Sequence, residues 1–116
     1  MENNNKRIES LEHMRSLVID IWCLSQRVLE LNITKCWGNL EIAKQELLKL
    51  TQELNQLKLS KETRFKREIE SLTDYISELV EEDQEAVYKV EYFSNLVAKA
   101  VLLIHTIQYC IVIERL

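Results

Sequence analysis

Three pairs of glutamates have the spacing Glu-x-x-Glu, which places two carboxylates one turn apart on the same face of a helix. These pairs are Glu9 with Glu12, Glu78 with Glu81, and Glu82 with Glu85. Carboxylate oxygens are the ligands that Mg²⁺ prefers, and a bound Mg²⁺ polarises phosphoryl oxygens. The chemistry that these pairs could carry is therefore that of a bound Mg²⁺ ion.

The rest of such a site is missing from the sequence. Helical nucleotide pyrophosphohydrolases of the MazG type combine Glu-x-x-Glu with Glu-x-x-Asp, and the second spacing does not occur here. Mg²⁺ needs convergent carboxylates, whereas these pairs flank the apolar helix faces and should meet water. His13 and His105 are far apart and match no catalytic spacing. We expect no enzyme, no metal and no cofactor, with the metal-dependent pyrophosphohydrolase as an alternative.

The composition favours a small helical domain. The chain has 116 residues, 47% of them hydrophobic and 29% charged, with one glycine and no proline. Sheets need many turns and α/β folds need glycine at strand–helix junctions, so both classes are excluded. We predict a single all-α domain over residues 1–116, an antiparallel bundle of three or four helices. The net charge of −4 disfavours a nucleic-acid partner.

Apolar residues at alternating steps of three and four predict the first two helices. The first stripe is Met14, Leu17, Ile21, Leu24, Val28 and Leu31, and the second is Leu40, Ala43, Leu47, Leu50, Leu54 and Leu57. They predict helices over about 6–33 and 40–59. Asn5 and Asn39 are candidate N-caps, Gly38 a left-handed helix end, and Ser60 the N-cap of the following helix.

The third stripe leaves two architectures open. It consists of Phe65, Ile69, Leu72, Ile76, Leu79, Ala86, Val90, Phe93, Val97, Ala100, Ile104, Ile107 and Ile111, with Asp83 as the one interruption. The unbroken register favours one helix of about fifty residues, spanning about 75 Å. The alternative is two helices that meet near residues 81–85, with Asp83 as a cap.

The last part of this stripe is the predicted partner-binding surface. We predict that it consists of Val90, Phe93, Val97, Ile104, Ile107 and Ile111. In a long helix these residues would overhang the bundle and be covered by a second chain, giving a homodimer. Trp37, at the turn before the second helix, either plugs the end of the bundle or anchors a partner. The uncharged part of residues 96–113 is too short to span a bilayer comfortably, so we expect no membrane insertion.

Charge is strongly segregated along the third stripe. Residues 68–91 carry nine acidic side chains against one lysine, whereas residues 58–67 carry five basic side chains against one glutamate. The acidic run is either a solvated face or a docking surface for a basic partner. Cys23, Cys36 and Cys110 form no Cys-x-x-Cys pair, so we expect three reduced thiols in a cytoplasmic protein.

Residues 8–97 resemble the FliT family of flagellar export chaperones. The resemblance is carried by residues 24–31, Trp37, Leu40, the leucine-rich run 46–50 and the acidic helical register of residues 69–97. It implies a cytoplasmic, non-enzymatic bundle that binds the filament-cap subunit before export and contacts the export ATPase and a gate component. The apolar segment 96–116 departs from the family, in which a C-terminal helix can cover the binding groove.

The sequence thus predicts an adaptor or chaperone that holds an amphipathic helix of a client protein against an apolar groove. Flagellar protein transport is the named example of this role. The alternative is a self-associating structural bundle, a homodimer of unrelated biology.

Overall fold

Four α-helices follow one another in the computed structural model, which describes residues 2–34, 37–81 and 89–116, with side chains for 5–31, 33–34, 38–79 and 91–116. The helices are α1 (Glu2–Thr34), α2 (Leu40–Gln56), α3 (Thr63–Glu81) and α4 (Lys89–Arg115). Short 3-10 helices at Trp37–Asn39 and Lys58–Lys61 precede α2 and α3. The all-α prediction is confirmed.

The helices form a ring in which each packs against its neighbours along the chain and α4 closes against α1. Neighbours run antiparallel: Arg7 near the start of α1 donates to the Glu114 carboxylate near the end of α4, with Nε and Oε1 2.9 Å apart. The 33 residues of α1 correspond to about 50 Å of helix. This length matches the 51 Å long axis of the molecule, so α1 spans the whole bundle.

One contiguous core lies along the axis of the bundle. Its fully buried members include Leu11, Met14, Val18, Ile21 and Val28 of α1, Leu40, Leu47 and Leu54 of α2, Phe65, Ile69, Leu72 and Ile76 of α3, and Phe93, Leu96, Ala100, Leu103 and Ile107 of α4. These positions recur every three or four residues, so each helix contributes one face. The predicted stripes of the first three helices supply most of this core.

The single fifty-residue helix is wrong. The Lys99 ammonium donates to the Ser71 hydroxyl over 2.8 Å, although 28 residues of continuous helix would separate their backbones by about 42 Å. The rings of Tyr75 and Tyr92 also stack, with centroids 4.7 Å apart. Two antiparallel helices bury both halves of the stripe within one chain, whereas one long helix would leave the second half in water. Asp83 lies outside the described residues.

The predicted helix ends need four corrections. Asn5 lies inside α1, which begins at Glu2. Gly38 sits in a 3-10 helix with φ outside the left-handed region. Asn39 precedes α2 without a side-chain cap bond. The Ser60 hydroxyl donates to the Leu54 carbonyl near the end of α2, so it closes α2 and does not cap α3.

Candidate functional site

The outward face of α4 carries a second apolar register. Its members are Ala98, Leu102, His105, Tyr109, Val112 and Leu116, at steps of four, three, four, three and four, with His105 as the one polar member. We call these six residues, together with the adjoining Ile113, the outer stripe. Seven large apolar side chains are strongly exposed in the described part of the chain, and five of them are Leu102, Tyr109, Val112, Ile113 and Leu116. The outer stripe is therefore the main uncovered apolar surface of the described residues.

Two apolar registers on opposite sides of one helix explain this exposure. The inner side of α4 packs in the core through Phe93, Leu96, Ala100, Leu103 and Ile107. Successive residues are 100° apart around a helix, so Leu102 and Leu103 cannot both face the core. Leu103 is 1% exposed and Leu102 is 65% exposed. The chain's own fold uses one apolar side of α4 and leaves the other in water.

The predicted partner-binding residues divide between the core and its edge. Phe93, Ile107 and Ile111 are fully buried inside the chain's own core. Val97 and Ile104 are half-buried. Val90 lies in α4 and Trp37 in the first 3-10 helix, and their side chains are outside the described set. The prediction follows the inner register, whereas the solvent-facing one runs from residue 98 to residue 116.

Basic side chains from α3 and α4 flank the outer stripe on one side. Arg64 Nη1 lies 3.2 Å from Cys110 Sγ. Arg67 and Lys99 line one cavity with Leu102, together with Glu68 and Ser71. Lys99 Nζ is fixed there by Ser71 Oγ and lies 4.8 Å from the centroid of the Tyr75 ring. This flank thus presents three cations beside one carboxylate.

The other flank is formed by α1 and the end of α4. Arg15 Nη1 donates to the side-chain carbonyl of Gln108. Arg115 Nη2 pairs with Glu12 Oε1 over 3.1 Å. Arg15 has no ion pair among the described residues. Cations therefore lie on both sides of the outer stripe.

The acidic side chains of the run 68–91 that the structure describes face solvent. Glu68, Glu70, Asp74, Glu78 and Glu91 are exposed. The Glu78 carboxylate accepts a hydrogen bond from the Tyr92 hydroxyl over 3.1 Å. Exposure is expected both of a solvated face and of a docking surface, so the basic partner of this run stays a prediction.

A cluster of ion pairs connects three helices at one end of the bundle. Arg7 donates to both Glu62 oxygens, each over 2.9 Å, and through Nε to Glu114. The hydrogen bonds from Arg7 hold the pKa of the Glu62 carboxyl below its usual value. The same bonds raise the pKa of the Arg7 guanidinium. This bidentate geometry joins the starts of α1 and α3 to the end of α4.

Replacement of this carboxylate gives a pH-dependent prediction. The pKa of Glu62 is lower in the folded chain than in the unfolded one. The Glu62 carboxylate therefore adds to the free energy of unfolding above the usual pKa of glutamate, and this addition is lost as the pH falls through the folded pKa. Both side chains are about a third exposed, so solvent screening limits the loss in Glu62→Gln to about 1 kcal/mol at neutral pH. Urea unfolding should show this difference near pH 7 and lose it as the pH falls below the usual pKa of a glutamate carboxyl.

The control is Glu53→Gln, because Glu53 is exposed on α2. This substitution should change the free energy of unfolding by less than about 0.5 kcal/mol at either pH. A Glu62→Gln difference that stayed constant across the pH range would contradict the proposed role of the ion pair.

The glutamate pairs do not converge in the described residues. No group of three or more His, Cys, Asp or Glu side chains could hold a metal ion there. Glu12 is paired with Arg115, and Glu78 accepts from Tyr92. Cys23 and Cys110 are free thiols. The pair Glu82 and Glu85, and also Cys36, lie outside the described residues.

The double register also makes α4 unusually apolar as a whole. Residues Glu91–Arg115 form a helix long and apolar enough to cross a membrane, and 33% of its apolar window is buried in the bundle. In the fold the inner side of this helix packs against α1 and α3, so its outer side is what remains for an external contact. No protein-family model, no curated protein and no solved structure matches this chain.

Proposed function

We propose that this protein is a non-enzymatic adaptor or chaperone that binds a helix of a partner protein along the outer stripe. The observation that carries the proposal is the exposure of five large apolar side chains on one helix face, from 45% for Ile113 to 96% for Leu116. Burying such side chains under a partner is favourable by about 25 cal/mol for each Å² of apolar area removed from water. The inner side of α4 already completes the core, so the outer stripe is free for a partner.

The spacing of the outer stripe suits a helical partner. Alternating steps of four and three form a seam, which packs knobs-into-holes against a second helix at a small crossing angle. From Ala98 to Leu116 the seam is about 27 Å long, or five turns. An amphipathic helix of similar length would bury its own apolar face there.

The resemblance to FliT-type export chaperones supports a client-binding role. The residues that carry it, such as the run 46–50 and Leu40, lie mainly on α1, α2 and α3. The outer stripe lies on α4, within the segment that departs from the family. We therefore propose protein transport in the cytoplasm as the setting, with the client held by a face particular to this chain.

A homodimer through the same face is the second candidate. The outer stripe is nearly symmetric about His105, so an antiparallel copy would place Ala98 opposite Val112 and Leu102 opposite Tyr109. Such a self-complementary pattern is what a two-fold interface requires. The basic flanks oppose this pairing, because each copy would bring cations onto those of the other.

The test uses a synthetic amphipathic peptide of about 20 residues with leucines at three- and four-residue steps and equal numbers of glutamates and lysines. We expect it to bind the full-length chain, and the Leu102→Ser/Tyr109→Ser double variant to bind at least about tenfold more weakly. Fluorescence anisotropy of the labelled peptide measures the affinity. Circular dichroism checks that the variant remains folded.

The matched control is Ile33→Ser/Ile42→Ser. Ile33 and Ile42 are 60% and 67% exposed and lie on α1 and α2, away from the outer stripe. This control should bind the peptide as the wild type does. Equal weakening in both double variants, or no binding by the wild type, would refute the docking face. Sedimentation of the free chain identifies the homodimer if it forms and if the outer-stripe variant dissociates it.

A further inference from the structure

We infer that the helix bound by the outer stripe is acidic, with carboxylates flanking its apolar face that pair with Arg15, Arg64, Arg67 and Lys99. This inference rests on the proposed docking function and adds the chemistry of the partner. It follows from three features of the flanks: the positions of the four cations, their lack of an ion pair with any described residue, and the contrast with the net charge of the chain.

The first feature is the placement of the cations along both edges of the apolar face. Arg67 and Lys99 share a cavity with Leu102, an outer-stripe residue. Arg64 contacts Cys110, next to Tyr109. On the opposite edge, Arg15 contacts Gln108. A helix lying on the outer stripe would have these groups within reach of its own flanking residues.

The second feature is that these four cations lack carboxylate partners within the described part of the chain. The basic residues with an ion pair there are Arg7, Lys44 and Arg115. Arg15, Arg64 and Lys99 instead bond neutral groups, namely an amide oxygen, a thiol and a hydroxyl. These bonds hold the cations beside α4 without a salt bridge, although the charge of Arg64 helps to lower the pKa of the Glu62 carboxyl.

The third feature is the contrast between the flanks and the whole chain. The chain has a net charge of −4, yet the contacts that border the outer stripe and its C-terminal end involve six basic residues and four acidic ones. The basic residues are the four above, Arg7 and Arg115, and the acidic ones are Glu12, Glu62, Glu68 and Glu114. Complementary charge of this kind speeds encounter and selects partners more than it adds affinity.

The same flanks disfavour a second copy as the occupant. In an antiparallel pair, the edge with Arg64 and Arg67 would lie over the identical edge of the other chain. In a parallel pair, it would lie over the edge with Arg15. Both arrangements set cations against cations, which costs free energy at close range. An acidic helix meets cations on both edges in either direction.

The cavity beside Leu102 favours a peptide over an anionic membrane surface. It lies between α3 and α4 and is lined by Arg67, Glu68, Ser71, Lys99 and Leu102. A carboxylate side chain from a partner helix can enter such an opening and accept from both cations. Because Arg64 and Arg67 are three residues apart, carboxylates spaced one turn apart would match them.

The experiment compares two peptides with the same leucine face, one with glutamates on both flanks and the other with lysines. At low salt the glutamate peptide should bind the full-length chain at least about tenfold more tightly. This ratio should fall as salt is raised from about 0.05 to about 0.5 M, because the Debye length shortens. Fluorescence anisotropy measures both affinities.

Charge reversal supplies the matched variants. Arg67→Glu/Lys99→Glu should remove or invert the preference for the glutamate peptide. The control Arg27→Glu/Lys49→Glu changes the net charge equally at exposed positions on α1 and α2, and it should keep the preference. Unfolding curves of both variants confirm that the bundle is intact.

The other outcomes identify which proposal fails. Equal affinity for the two peptides, or tighter binding of the lysine peptide, overturns the acidic partner and leaves the docking face standing. Binding of neither peptide overturns both proposals. Flotation with phosphatidylglycerol vesicles in the absence of peptide binding would assign the basic flanks to a membrane surface and overturn the inference.

Discussion

Leu103→Ala should lower the free energy of unfolding by about 2–5 kcal/mol, whereas Leu102→Ala should change it by less than about 0.5 kcal/mol. Leu103 is 1% exposed in the core, and Leu102 is 65% exposed in the outer stripe. Both changes remove the same atoms from adjacent positions of one helix, and alanine is a good helix former in both. The difference therefore measures burial alone.

Urea denaturation followed by circular dichroism measures both free energies. The slope of unfolding against urea should stay unchanged in both variants, because the fold is retained. Equal losses would mean that α4 is covered on both sides. A larger loss for Leu102→Ala would mean that α4 is turned about its axis and that the outer stripe belongs to the core.

The amphipathic stripes of the early helices made their inward faces predictable. In α3, the apolar side chains Phe65, Ile69, Leu72 and Ile76 are separated by charged and polar residues, and all four are buried. Only one face of such a helix can enter a core. The all-α fold and the buried faces of α1, α2 and α3 therefore follow from periodicity.

The inward face of α4 could not be predicted in the same way. Leu96 and Val97 are both apolar, and so are Leu103 and Ile104, so two neighbouring registers fit the sequence equally well. The structure buries Leu96 and Leu103 and leaves Val97 and Ile104 half-buried. The choice depends on how α4 closes against α1, which is a tertiary contact without a local signal.

The basic flanks of the outer stripe had no sequence signature at all. Arg15 comes from α1, Arg64 and Arg67 from α3, and Lys99 from α4. In the sequence, Arg64 and Arg67 belong to a basic segment that precedes the acidic run. Only the antiparallel return of α4 along α3 brings them beside Leu102. A surface assembled from three helices becomes visible once the topology is known.

Lys44→Met should raise the free energy of unfolding by about 1–4 kcal/mol. Lys44 is 1% exposed on the inward side of α2, between Leu40 and Leu47 of the buried stripe. Its one ion pair among the described residues is with Glu41 Oε1 at 3.8 Å. That distance is longer than a hydrogen bond, so the attraction offsets little of the cost of burying an ammonium group.

Methionine suits this position because it keeps the unbranched length of lysine without its charge. The matched control is Lys49→Met, an exposed position on the same helix, which should change the free energy of unfolding by less than about 0.5 kcal/mol. Chemical denaturation at neutral pH compares the two. A loss of stability in Lys44→Met would mean that the buried ammonium group contributes more to the fold than a methionine side chain can replace. If Lys44→Met instead stabilises the protein, the buried charge of Lys44 lowers the free energy of unfolding. Its role then lies outside the packing of the core.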